Sequence, residues 1–139
     1  MYKQSSKEIF KILPAIISAH LNGSRRVSAV ELGELYDINS RTLNVTLQKL
    51  VQAGILHSQT GGLNPGYGFL RDPRSVSLYD ISQVVCRIEY PRCSLKEHDE
   101  DDNCMVCNII GSAVDIIVSD LKAASCYDFY LSLKDKMKL

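Results

Sequence analysis

Between Val27 and Leu70 two short helical patterns follow one another across a tight polar break and lead directly into a glycine-rich hairpin, an order few folds accommodate. Ser28 with Glu31 spells a capping box: a serine hydroxyl can take the backbone N–H of the third helical residue while the acid reaches back. A helix is therefore predicted from Ser28 to about Tyr36. Asp37-Ile38-Asn39-Ser40 breaks it, and Asn39 or Ser40 caps a second helix that runs to Ala53 before Gly54 stops it. Leu43, Leu47, Leu50 and Val51 recur at helical spacing and mark its buried face. Arg41, Thr42, Asn44, Thr46, Gln48 and Lys49 fall on the outer face. Residues 55–60 and 67–70 then read as two strands around the loop Gly61-Gly62-Leu63-Asn64-Pro65-Gly66. A helical hairpin alone is common. One followed at once by a β-hairpin is a winged helix-turn-helix.

The flanking segments are helical too. Ile9, Ile12, Leu13, Ile16 and Ile17 line one face of a helix over residues 6–21, with Pro14 inside it and Asn22-Gly23-Ser24 as its stop. Pro14 lacks an N–H and should kink the helix or leave one carbonyl unpaired. Ser77 caps a further helix whose apolar face is Leu78, Ile81, Val84 and Val85. Residues 87–103 lack periodicity, include Pro91 and the acidic run 99–102, and read as a solvated loop. From Cys104 or Cys107 to about Ala124, Ile109, Ile110, Ala113, Val114, Ile116, Ile117, Val118 and Leu121 cover more than one stripe. Such a surface must be buried on two sides, one by the chain's own core and one by a second copy. A homodimer through the helix near residues 107–124 is the expectation. A last helix spans about Tyr127 to Lys136. The fold class is mainly α with a small β-hairpin: a winged helix-turn-helix domain over 1–75, and a sensor loop with dimerisation helices over 76–139.

Charge divides along the same line. Residues 1–75 hold nine Lys/Arg against five Asp/Glu, a balance of +4, whereas the remaining seven bases and eleven acids give residues 76–139 a balance of −4. The front can face a polyanion and the back cannot. The polar start Met1-Tyr2-Lys3-Gln4 is unlike a secretory signal, and no apolar run approaches the roughly 18 residues of a membrane span, so a cytoplasmic protein is expected. All five cysteines lie in the back half. An odd number in a reducing compartment favours thiols over disulfides. Cys104-x-x-Cys107, with Cys93 nearby, reads as metal, cluster or redox chemistry, and Cys86 and Cys126 read as small buried hydrophobes.

The order of these elements resembles the Rrf-type family of bacterial winged-helix regulators. Ala53-Gly54-Ile55 after the helix-turn-helix is similar to that family's A-G-I/L step. Gly66-Tyr67-Gly68-Phe69-Leu70-Arg71-Asp72-Pro73 resembles its G-G-Y/F-x-L-A-R-x-P wing signature, and Ser75-Val76-Ser77-Leu78-Tyr79-Asp80-Ile81 its I-S/T-L-x-D/E-I helix. The resemblance implies a transcriptional regulator that binds double-stranded DNA as a homodimer. It also implies an iron–sulfur cluster (2Fe–2S or 4Fe–4S), held by three cysteines before the dimerisation helix and switching DNA affinity; zinc is a further candidate. Other members of the family lack the cysteines and respond to small molecules or partner proteins. Two departures stand out. The wing lacks the arginine usual after the first strand, since Ser58 is followed by Gln59-Thr60. A ten-residue gap separates Cys93 from Cys104, the middle cysteine is absent, and Cys107 falls where the cluster-assembly regulators place a histidine ligand.

The candidate residues follow. DNA contacts are assigned to Ser28, Asn39, Ser40, Arg41, Thr42, Asn44, Lys49, Gln59, Thr60 and Arg71. Arg41 suits guanine and Asn44 suits adenine. Lys3, Lys7, Arg25, Arg26, Lys49 and Arg71 are candidates for phosphate. Cys93, Cys104 and Cys107 are the metal or cluster ligands, and His98, or Glu8 of a partner's first helix, would complete the set. No G-x-S-x-G, P-loop, H-E-x-x-H or G-x-G-x-x-G motif is present, so an enzyme is not expected. A winged helix kept only for protein interaction is the other alternative, favoured by the missing wing arginine.

Overall fold

Apolar spacing near the start of the chain gives, in the computed structural model, a helix α1 (Gln4–Leu21) whose Ile9, Ile12, Leu13, Ile16 and Ile17 are wholly buried. The structure describes residues 4–90 and 104–136, with side chains from Glu8 onward. Pro14 lies inside α1 and is buried with its neighbours. The helix ends at Asn22-Gly23-Ser24, as expected, where Ser24 N–H reaches back to His20 O at 3.0 Å.

Ser28 caps α2 (Ala29–Tyr36), its hydroxyl accepting from Glu31 N–H at 3.1 Å. Asp37, in the left-handed region at φ 54°, turns the chain, and Ile38 N–H returns to Gly33 O at 2.9 Å. Gly33 makes this turn possible: a Cβ there would lie 2.6 Å from Ile38 O. Asn39 then caps α3 (Ser40–Gln52), its Oδ1 accepting from Arg41 N–H at 2.9 Å. Leu43, Leu47 and Leu50 are buried and Val51 is half-buried. Each buried leucine is worth about 1.5–3 kcal/mol of transfer free energy, which holds α3 on α1 and α2.

The hairpin pairs β1 (Leu56–Gln59) antiparallel with β2 (Gly66–Phe69), in the register Leu56–Phe69, His57–Gly68, Ser58–Tyr67 and Gln59–Gly66. Val27 and Tyr67 exchange both backbone hydrogen bonds at 2.8 Å, so the segment before α2 lies along β2 as a one-residue third strand. Gly66 admits it. At φ 129° its backbone passes so close to Val27 that a Cβ would meet the carbonyl at 2.6 Å.

A short 3-10 turn (Pro73–Ser75) leads to α4 (Leu78–Val85), which carries a complete capping box between Ser77 and Asp80. The long α5 (Met105–Ala123) packs against α4, and α6 (Cys126–Leu133) returns to α1, with Ser125 and Asp128 forming a second capping box. The ends of this excursion are joined. Leu78 N–H donates to Ala124 O at 2.9 Å and Cys126 N–H to Val76 O at 2.8 Å. One continuous core therefore contains Ile9, Leu32, Leu47 and Phe69 together with Val76, Ile81, Cys126 and Tyr130. The last helix ends at Leu133, earlier than its apolar spacing suggested.

Candidate nucleic-acid interface

The outer face of α3 and the wing meet in a groove of about 320 Å³, and its walls include Ser28, Asn44, Gln48, Gln59, Thr60 and Tyr67. Four residues assigned to DNA from sequence, Ser28, Asn44, Gln59 and Thr60, thus come together. Asn39, Arg41, Thr42 and Lys49 are exposed on the same helix or its cap, and Ser40 is half-buried against the α2–α3 turn. Two of these polar groups already have internal work: Asn39 Oδ1 and Ser28 Oγ are the helix caps. Thr42 O accepts from Thr46 Oγ1 at 3.3 Å, and Thr42 is itself exposed.

The wing is fastened to α3 by one phenol. Gln48 Nε2 donates to Tyr67 OH at 2.9 Å, and Tyr67 OH donates to Asn44 Oδ1 at 3.0 Å. Sequence reasoning placed Gln48 on the outer face without a role and passed over Tyr67. Strand alternation carried the missing signal. It puts Tyr67 on the same side as buried Phe69, and a phenol turned toward a core needs a partner for its hydroxyl.

Two cations assigned to phosphate have partners within the chain, Arg26 half-buried and Arg71 at the surface. Half-buried Arg26 places Nη1 3.1 Å from Asn64 O and Nε 3.5 Å from His57 Nδ1, and so braces the wing loop against β1. Arg71 holds Ser75 O at 3.2 Å and lies 3.7 Å from the Asp80 carboxylate. Arg25, Arg41 and Lys49 remain exposed cations on or near the reading side. His57, beside the brace, is held below the usual histidine value by burial and then by the nearby charges of Arg26 and His20.

In the other half of the chain, Cys104 is the N-cap of α5 and Cys107 lies in its first turn, both half-buried. Cys93 and His98 lie outside the described residues. Glu8 is half-buried on α1. Among the described residues no group of three or more His, Cys, Asp or Glu converges on a metal position. The thiols of Cys104 and Cys107 are donors of the kind an iron–sulfur cluster takes. Cys126 is fully buried, and burial pushes its thiol up to about 12. It is a hydrophobe, as expected. Cys86 differs: it caps the C-terminus of α4 and is only half-buried, because the helix ends there and the chain turns outward at Arg87.

A family model described as Rrf2, iron-dependent transcriptional regulator, matches residues 6–130. The chain is 33% identical over 91 residues to a protein of Rhodopseudomonas palustris named as an HTH-type transcriptional regulator, BadM. That match covers 66% of this chain and 56% of BadM, so the chain spans little more than half of that curated relative. Among solved structures it superposes on CymR (YrzC), the global cysteine regulator of B. subtilis, with TM-score 0.78 at 17% identity, covering 95% of this chain and 97% of that one. It superposes on T. potens IscR with TM-score 0.74 at 20% identity, covering 99% and 89%. These two likenesses show the fold: among the described residues, six α-helices and a two-stranded hairpin arranged as in winged-helix regulators.

Proposed function

The chain belongs to the Rrf2 family of transcriptional regulators, and from that premise we propose that it is a cytoplasmic repressor that grips duplex DNA as a homodimer and is switched through its cysteines. The family and the relatives above are transcriptional regulators and not enzymes. The groove shared by α3 and the wing carries the reading, because it gathers Ser28, Asn44, Gln59 and Thr60 beside the exposed Arg41, Thr42 and Lys49. In this reading α3 enters the major groove by its N-terminal turns. Asn39, Ser40, Arg41, Thr42 and Asn44 face base edges, and Lys49 with Arg25 holds phosphates. Arg71 joins them only by leaving Asp80.

Residues 1–75 are the reading head and residues 76–139 the sensor and pairing region, divided by role while sharing one core. Pairing is supported by α5, in which no residue is buried within one chain and Met105, Val106, Ile109, Ile110 and Ile116 are exposed. A second copy covering that face satisfies both the apolar surface and the two-fold geometry of an operator. Cys93, Cys104 and Cys107 would hold an iron–sulfur cluster at the start of α5, with His98 or the partner's Glu8 as fourth donor. When bound, the cluster supplies a redox- and iron-sensitive charge beside the pairing helix.

Gel shifts with the DNA upstream of the protein's own gene test the regulator reading, with protein purified both anaerobically and in air. Arg41→Ala should weaken the specific site by about tenfold or more and random duplex by far less, as loss of a base contact does. Equal loss on both would remove Arg41 from the base-reading set. Iron and sulfide analysis of the anaerobic protein tests the cluster, and a colourless, metal-free preparation would sink it.

A further inference from the structure

A tyrosine hydroxyl has a single proton, so it can donate one hydrogen bond while accepting others. Tyr67 is flanked by two carboxamides of α3, one helical turn apart, and both point their polar ends at its oxygen. With its one proton given to one amide, the phenol can only accept from the other. Gln48 is the donor here, through Nε2, and Asn44 the acceptor, through Oδ1. The described hydrogen bonds therefore leave Asn44 with its Nδ2 protons for DNA and Gln48 with its Oε1, and both side chains are exposed along the groove.

We infer, building on the DNA-reading role proposed above, that Tyr67 is a positioning residue that gives Asn44 and Gln48 opposite hydrogen-bond polarities and so sets which bases the pair selects. Asn44 presents donors, which match guanine N7 and O6 or thymine O4. Gln48 presents an acceptor, which matches the exocyclic amine of cytosine or adenine. The adenine contact expected for Asn44 from its residue type needs both ends of the amide, and here one end is turned to the wing. The Tyr67 backbone is paired with Val27 on one side and Ser58 on the other, and its side chain is buried, so the relay is fixed before DNA arrives.

The full chain is tested on a randomised duplex library, followed by titration of labelled duplexes carrying single base changes at fixed salt. Wild-type protein should enrich a site with neighbouring donor-matched and acceptor-matched base pairs. Tyr67→Phe keeps the ring and frees both amides. It should reduce discrimination at those base pairs about five- to tenfold, while affinity for random duplex changes less than about twofold. Gln48→Glu, on the exposed face, can only accept from the phenol, which leaves the phenol oxygen to accept from Asn44 Nδ2 once that amide turns over. Binding weakens on all duplexes because a negative charge faces phosphate, but preference at the base pair read by Asn44 should swing from acceptor-bearing to donor-bearing groups. Should Tyr67→Phe not fold, as judged by its melting curve, the Gln48→Glu ranking decides alone. Unchanged discrimination in folded Tyr67→Phe, equal losses on selected and random duplex, or an unchanged ranking with Gln48→Glu would overturn the inference. If the wild-type protein enriches no sequence at all, the regulator reading itself fails, and this inference with it.

Discussion

Cys126 shows how one side chain is made inert by its surroundings. Its sulfur is wholly buried between α6 and the core, and burial first, then the nearby Asp80 carboxylate, lifts the thiol from 9.0 to about 12. The thiolate is the nucleophile, so the folded protein should leave Cys126 unlabelled by iodoacetamide at pH 8, whereas urea should expose it; mass spectrometry of the labelled peptide distinguishes the two. Linkage fixes a second consequence. Below pH 9 the thiol is protonated both folded and unfolded, and its contribution to stability is whole. As pH rises from 9 toward 12 the unfolded chain ionises first, and that contribution is lost. Cys126→Ala should cost roughly 1 kcal/mol at neutral pH. It should also melt with a shallower alkaline decline than the parent, and identical alkaline slopes would contradict the assignment. The burial of Cys126 was readable from sequence only in that a free thiol usually behaves as a small hydrophobe; its place at the start of α6 was not, since the apolar spacing began that helix at Tyr127. The half-exposed position of Cys86 was not, since it depends on where α4 stops.

The wing is the element on which local chemistry and distant packing depend most on each other. Its two strands, its glycine loop and the cap of α3 were all legible, because turn residues and caps act over three or four positions. The contacts that hold the wing were not: Tyr67 to Asn44 spans 23 residues, and Arg26 to Asn64 spans 38. The brace through Arg26 needs His57 neutral, with Nδ1 free to accept. Since the folded pKa of His57 lies below 6.5, its share of stability is full above that value and is lost as pH falls through the lower folded one. Melting temperature should therefore drop between pH 7 and pH 5 in the parent, and by less in His57→Gln. Parallel pH curves for the two proteins would show that the brace does not sense His57.

At the scale of the whole molecule, the sequence divides its charge between front and back, but Arg26 is drawn inward to the wing loop while Arg71 stays at the surface beside Asp80. That inward turn was invisible in a count of charges. The breadth of the α5 apolar surface was legible, and it argues for pairing: Met105, Ile109 and Ile116 stand exposed at helical spacing. The double change Ile109→Glu with Ile116→Glu should give a monomer by light scattering. Operator affinity should fall by roughly 100-fold or more, since two linked reading heads gain at least that much over one. A variant that stays dimeric would place the seam elsewhere.

The two main-chain stitches between residues 76–78 and 124–126 secure α5 near its C-terminal end, at the root of α4. That end is a fulcrum. A helix of 19 residues is about 28 Å long, so a five-degree tilt there carries Cys104 through about 2.4 Å. Under the switching role proposed above, a small rearrangement at Cys104 would become a slight rotation where α5 meets the root of α4.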